Sequence, residues 1–265
     1  MKKNSLVFIS ICFSLTIFAQ QKEGKVIYQR TMQMQIQIND NDHLQQMIPK
    51  SRTDKFELTF GNNQSLWKHV DEDDNNDEMG GNGVQIRMMG PGQNDIVFHD
   101  FTAAKRTEQR DMMDKKFIVT DSIRKLNWKL TGETETILGH VCQKAIAQRT
   151  GKRTQMTMDN GEMERKEIND TTNMAAWFTS DIPVPAGPEV QGQLPGLILG
   201  LEMNNGRMVY KALEISLKVD VAGIKEPNKG KKVTPDEFVK EREKMMAEMQ
   251  KNNQGNGNRV IRIQN

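Results

Sequence analysis

Cysteine is nearly absent from this chain, and that removes the simplest source of stability. There are two cysteines in 265 residues. Cys12 falls in an N-terminal apolar run, so Cys142 has no partner once that run is removed, and the fold must rest on a packed core. Long apolar runs are lacking as well. The only one, Leu6 to Phe18, is shorter than the roughly 20 residues a membrane span needs. Charge of one sign is missing: 37 Lys and Arg face 35 Asp and Glu, which argues against a nucleic-acid binder. Aromatics make up only 6%, while methionine reaches 18, so Met fills apolar positions usually held by Phe or Leu. Catalytic signatures are missing too. There is no H-E-x-x-H, no G-x-S-x-G and no phosphate loop, and no spaced Cys/His set for zinc. No cofactor and no enzymatic activity are expected.

The first 19 residues read as a secretory signal peptide: basic Lys2 and Lys3, the short apolar run, then Ala19 with Ile17 two residues before it. Cys12 has no Ala-Gly or Ser-Gly before a cut, so a lipoprotein signal is not indicated. The mature chain is expected to be exported, to the periplasm first, with the outer surface or medium as further destinations. It is not expected to span the membrane.

Residues 24–38 alternate strictly. Val26, Tyr28, Met32, Met34, Ile36 and Ile38 share one parity, interrupted by Arg30, and polar residues fill most of the other. Such period-two patterning marks a half-buried strand. It recurs over 55–60 and 65–70 as a hairpin around Gly61-Asn62-Asn63. Shorter strands follow at 95–101, 107–112, 116–119, 127–131, 134–138 and 140–149. Residues 154–158 and 164–168 flank the Asn160-Gly161 turn signal, and 175–179 and 208–221 complete the set. The pattern predicts a mainly β protein: a strongly curved antiparallel sheet, half-barrel or open barrel, spanning 20–222. A linker and amphipathic helix follow over 223–251. Thr234-Pro235-Asp236-Glu237 is a capping box with proline at the first helical position. Phe238, Met245 and Met249 share the helix stripe with Arg242, so the helix is expected to dock on the sheet. Residues 252–265 read as a flexible tail, with 259–264 as a candidate edge strand.

Residues 71–94 open with DEDDNNDEMGGNG and read as a mobile acidic loop. A calcium loop needs Gly at its sixth position and Glu at its twelfth. Counting from Asp71, those positions are Asn76 and Asn82, so the match fails. Soft thioethers suit Cu(I), and His43 with Met47, or His140 with Cys142, are the candidate ligands of an alternative metal-handling reading. The plainer reading makes the methionines packing residues and Cys142 a buried strand thiol. Ser122 and Thr171 follow aspartates in a short pattern that exported Bacteroidota proteins use for O-glycans.

Half of the chain's eight prolines lie between Pro183 and Pro195, in the stretch AAWFTSDIPVPAGPEVQGQLPGLILGLE. It is too broken for a helix. Trp177-Phe178-Thr179, Asp181-Ile182-Pro183, Gly187-Pro188 and Leu194-Pro195-Gly196-Leu197-Ile198, with Ile137-Leu138-Gly139-His140-Val141-Cys142-Gln143-Lys144-Ala145 upstream, resemble the GLPGLI family of exported Bacteroidota proteins. Gln193 departs from that family's first glycine. The resemblance implies an envelope protein of unestablished function, often encoded near outer-membrane transport systems, and carries over no catalytic residue. On physical grounds the stretch reads as a rigid loop closing one mouth of the curved sheet, its prolines fixing φ. Trp177, Phe178, Leu194, Pro195, Gly196, Leu197 and Ile198 are the candidate contacts for an envelope partner, peptide or lipid-like apolar ligand.

Overall fold

A computed structural model describes residues 22–33, 50–70, 78–79, 86–87, 94–159 and 162–254. Residues 1–19, read as a signal peptide, His43, Met47, the expected turn at Asn160-Gly161, nearly all of the acidic segment 71–94 and the residues beyond Gln254 lie outside the described residues. The strands are β1 (Gly24–Gln33), β2 (Ser51–Gly61), β3 (Gln64–His69), the short pair β4 (Glu78–Met79) and β5 (Ile86–Arg87), β6 (Ile96–Asp100), β7 (Lys105–Met112), β8 (Lys115–Ser122), β9 (Lys129–Ile137), β10 (His140–Asp159), β11 (Glu162–Thr179), β12 (Leu197–Met203), β13 (Met208–Ser216) and β14 (Lys231–Val233), followed by helix α1 (Pro235–Gln254).

Twelve strands form one open sheet in the order β14-β8-β7-β6-β3-β2-β1-β13-β12-β11-β10-β9. Every neighbour is antiparallel except β14 on β8. The predicted mainly β architecture with one C-terminal helix is what forms. Alternation does the work: Val26, Tyr28 and Arg30 of β1 sit opposite Leu58, Phe56 and Asp54 of β2, and all six are buried. Side chains of this parity line the inner face, and the other parity meets solvent. The hairpin at Gly61 turns on Asn62 and Asn63, both left-handed at φ 52° and 58°, as a two-residue hairpin requires.

Three expectations are refined. The two strands read over 127–138 form the single strand β9, because Gly132 at φ 82° absorbs the irregular register between Gln143 and Ala145. The last long strand stops at Ser216. Alternation continues in the sequence, but Leu217 is 62% exposed and the chain instead enters a 3-10 turn at Val221–Gly223 capped by the Asp220 carboxylate. Lys231–Val233, read as linker, pairs with β8.

The capping box closes as the sequence implies: Glu237 accepts from the Thr234 N–H at 2.8 Å, and the Glu237 N–H donates to Thr234 Oγ1 at 3.2 Å. Helix α1 then seats Phe238 and Met245 against Phe117, Val119 and Val233, covering the β8 end of the inner face. No helix among the described residues is long and apolar enough to cross a membrane.

Candidate functional site

Between β11 and β12 the chain crosses the inner face as an irregular plug, residues 180–196. Its prolines cannot serve a strand ladder, so the backbone satisfies itself locally. Val184 N–H donates to Ile182 O at 2.8 Å, Ala186 N–H to Val184 O at 2.7 Å and Val190 N–H to Pro188 O at 2.6 Å. These i to i+2 bonds are γ-turns. Their apolar side chains point inward: Ile182, Val184, Ala186, Val190 and Leu194 are all at most 5% exposed. Two glycines let the plug approach the sheet. A Cβ on Gly196 would lie 2.0 Å from the Thr179 carbonyl oxygen, and one on Gly187 would lie 2.5 Å from Ile198 Cβ.

Polar pins fasten the plug to distant strands. Ser65 Oγ donates to Gln191 Oε1 at 2.6 Å. Tyr210 O–H donates to Glu189 Oε1 at 2.6 Å. Gln193 Oε1 accepts both Leu126 N–H and Trp128 Nε1–H, each at 3.0 Å. At the start of β12, Tyr28 O–H donates to Ile198 O at 2.6 Å. Below lies an aromatic layer, with Trp67 stacked on Phe56 at 5.1 Å and tilted against Tyr28 at 5.3 Å. Arg30, read from sequence as an interruption, belongs to this layer. Its guanidinium lies 4.5 Å over the Phe56 ring and pairs with Asp54 at 2.8 Å. Burial alone would raise the Asp54 carboxyl, but Arg30 and Arg52 outweigh it and hold it below the usual range.

Between plug and helix the inner face turns polar. Glu108, 3% exposed, is clamped between Arg106 and Arg110. Arg110 also lies 5.1 Å over Phe238. His99 is equally buried. Burial, helped by the Arg106 charge, pushes its pKa down to about 3, so it is neutral. Burial also raises the nearby Asp95 carboxyl.

The candidate contacts divide between core and surface. Phe178, Leu194, Gly196, Leu197 and Ile198 are buried in the plug and core, and Pro195 is exposed. Trp177 takes the outer face, half-buried, with Lys144 Nζ 5.5 Å over its ring. His140 turns its Nδ1 to Asp181 Oδ2 at 3.2 Å. Cys142 is fully buried and donates its thiol to the His140 carbonyl at 3.6 Å. Burial pushes that thiol up to about 11. Among the described residues no group of three or more His, Cys, Asp or Glu could hold a metal ion. The pins on Gln191, Gln193 and Glu189 were not foreseen, although Gln193 was visible as a departure from a glycine.

Outside the plug, an open groove of about 640 Å³ lies between the segment 124–127 and the β10–β11 ribbon. Cations dominate the charged part of its lining, with Arg124, Lys125, Arg149 and Lys152 against Asp170.

The fold thus defines a class, an open β-sheet protein whose inner face is covered by its own plug and helix. Residues 128–200, which carry β9 to the start of β12 and the whole plug, match the model of a family described as a protein of unknown function (Porph_ging). No curated protein matches the chain. Two solved structures of PNGF-II, in C2 and P21 crystal forms, resemble its backbone with TM-scores of 0.49 and 0.48 at 15% and 16% identity. Each alignment covers 83% of this chain and 32% of that one. The chain therefore spans about a third of their length.

Proposed function

We propose that this chain is an exported, non-enzymatic envelope protein of the GLPGLI type that docks a partner protein. The reading of export rests on residues 1–19. The GLPGLI assignment rests on the Trp177 to Ile198 motif, which falls within the matched span 128–200. One observation favours a protein partner over a carried lipid-like ligand. The apolar inner face that would cradle such a ligand is occupied by Ile182, Val184, Val190 and Leu194 of the plug. A carrier needs a mostly apolar cavity, and two surface grooves among the described residues are instead lined mainly by charged and polar residues. Partner contact then falls to surface side chains, with half-buried Trp177 on the outer face and exposed Pro195 near the end of the plug as the members of the motif that reach the surface. Proximity to an outer-membrane transport system, implied by the family resemblance, makes an envelope protein the partner of choice.

The test is native mass spectrometry of residues 20–265 purified from the native envelope after mild cross-linking. A second protein subunit of defined mass is expected. A stoichiometric lipid or a bound copper ion would overturn the reading in favour of a carrier or metal handler. A clean single-chain mass after cross-linking would overturn partner docking itself.

A further inference from the structure

We infer that the cationic groove beside the β10–β11 ribbon takes an extended acidic polypeptide segment, laid along the free edge of β10. This deepens the partner-docking reading and rests on it. The first observation is backbone. β9 covers β10 only as far as Ile146, because the chain just before β9 leaves the sheet to be held by Gln193 through Leu126 and Trp128. From Ala147 to Gly151, β10 is paired with β11 alone. Among the described residues no other backbone bond reaches that edge, so every second residue turns its N–H and C=O outward. An edge of this kind accepts another strand.

The second observation is charge. The chain carries a net charge of only +2, yet Arg124, Lys125, Arg149 and Lys152 converge on one groove against the single carboxylate Asp170. Arg124 already shares Asp121 at 3.2 Å. Lys125 and Arg149 are exposed, and among the described residues neither has a side-chain hydrogen bond or ion pair. They are the natural readers of carboxylates on the incoming strand. Gly151 adds room, since a Cβ there would meet nothing within 4 Å. A free phosphate would satisfy the cations but leave the strand edge unpaired. A peptide satisfies both.

The probe is a fluorescein-labelled decapeptide of alternating Glu and Thr, titrated with the full chain by fluorescence anisotropy at about 50 mM salt, where screening is modest. Saturable binding is expected. Arg149→Gln and Lys125→Gln should each weaken it about fivefold, in line with one rim charge pair. Lys240→Gln and Lys244→Gln, on the exposed face of α1, should leave it unchanged. Hydrogen exchange should show new protection at the 147–151 amides when the peptide is bound. Equal binding of a matched decapeptide of alternating Gln and Thr, equal losses from the α1 variants, or no new protection at 147–151 would each overturn the inference. Tighter binding of a sulfated glycan without that protection would do so as well. The two proposals fail separately. An envelope partner still captured by the Arg149→Gln/Lys125→Gln double variant removes the groove and leaves docking intact. Peptide binding without any envelope partner removes docking and leaves the groove.

Discussion

Replacing Gly196 by alanine should be among the most damaging single-atom additions to this protein. The added Cβ would sit 2.0 Å from the Thr179 carbonyl oxygen and 2.8 Å from its carbon. Ordinary contact begins near 3.4 Å, so the two backbones must separate by more than an ångström. Neither can yield alone. Thr179 is paired with Leu197 at the junction of β11 and β12, and Leu197 N–H is tied back to Ile182 O at 3.0 Å. Relief means unseating the plug, with its buried Leu194 and Ile182. Overpacking costs about 1–3 kcal/mol where side chains can adjust, and more where they cannot. Against fixed backbone, about 3–5 kcal/mol is expected, in the upper tail of point substitutions. Urea unfolding followed by tryptophan fluorescence reads this directly, since Trp67 lies beneath the plug and Trp128 is bonded to it. Gly151→Ala is the matched control, because its Cβ enters open space, and it should change stability by no more than about 0.5 kcal/mol. A Gly196→Ala protein within about 1 kcal/mol of the parent would refute the seating of the plug.

Other consequences are open to measurement. Gln193→Ala removes the acceptor of two N–H groups, at about 0.5–1.5 kcal/mol each. A loss near 2 kcal/mol with a changed Trp128 emission is expected, and an unshifted spectrum would argue against the bond. Cys142 should resist a thiol-modifying dye at pH 8 until denaturant is added. Its folded pKa of about 11 exceeds the ordinary thiol value, so its contribution is complete below that ordinary value and is lost as pH rises toward 11. Fast labelling of the native chain would contradict the burial. His99, held neutral with a folded pKa of about 3, contributes stability above its ordinary value that is lost as pH falls, about 3 kcal/mol by about pH 4. His99→Leu should flatten that acid limb, and an unchanged slope between about pH 6.5 and 4 would disprove the assignment.

The sheet was legible because burial on one face leaves a period-two trace, and β1, β2 and the capped helix α1 carry that trace cleanly. The role of the broken stretch was legible in part. Prolines at 183, 185, 188 and 195 excluded a strand, and Leu194, Leu197 and Ile198 had to cover something apolar. What fastens it was not legible. Ser65 meets Gln191 across 126 residues, and Trp128 meets Gln193 across 65. A polar pair at such separation leaves no period and no local motif. Arg30 shows the same limit from the other side. In sequence it breaks an apolar stripe, while in the fold Asp54 and Phe56 of the neighbouring strand receive its charge and its flat face. The groove was invisible for a different reason. It exists because β10 outruns β9, and strand lengths relative to neighbours are a property of pairing, not of either strand alone.

Why a polar chain builds an apolar, proline-broken stretch follows from the width of the sheet. Twelve strands present an inner face far wider than one helix, and α1 covers only the β8 end. A second helix would need length and amphipathic spacing that 180–196 does not have. Prolines instead hold the backbone extended at low entropic cost, γ-turns satisfy the buried amides that a loop would otherwise strand, and alternate apolar side chains close the face. The same solution fixes where recognition can occur. With the inner face filled, the unpaired strand edges and the charges beside them join Trp177 and Pro195 as the groups left to meet the proposed partner. The edge of β10 between Ala147 and Gly151 combines both.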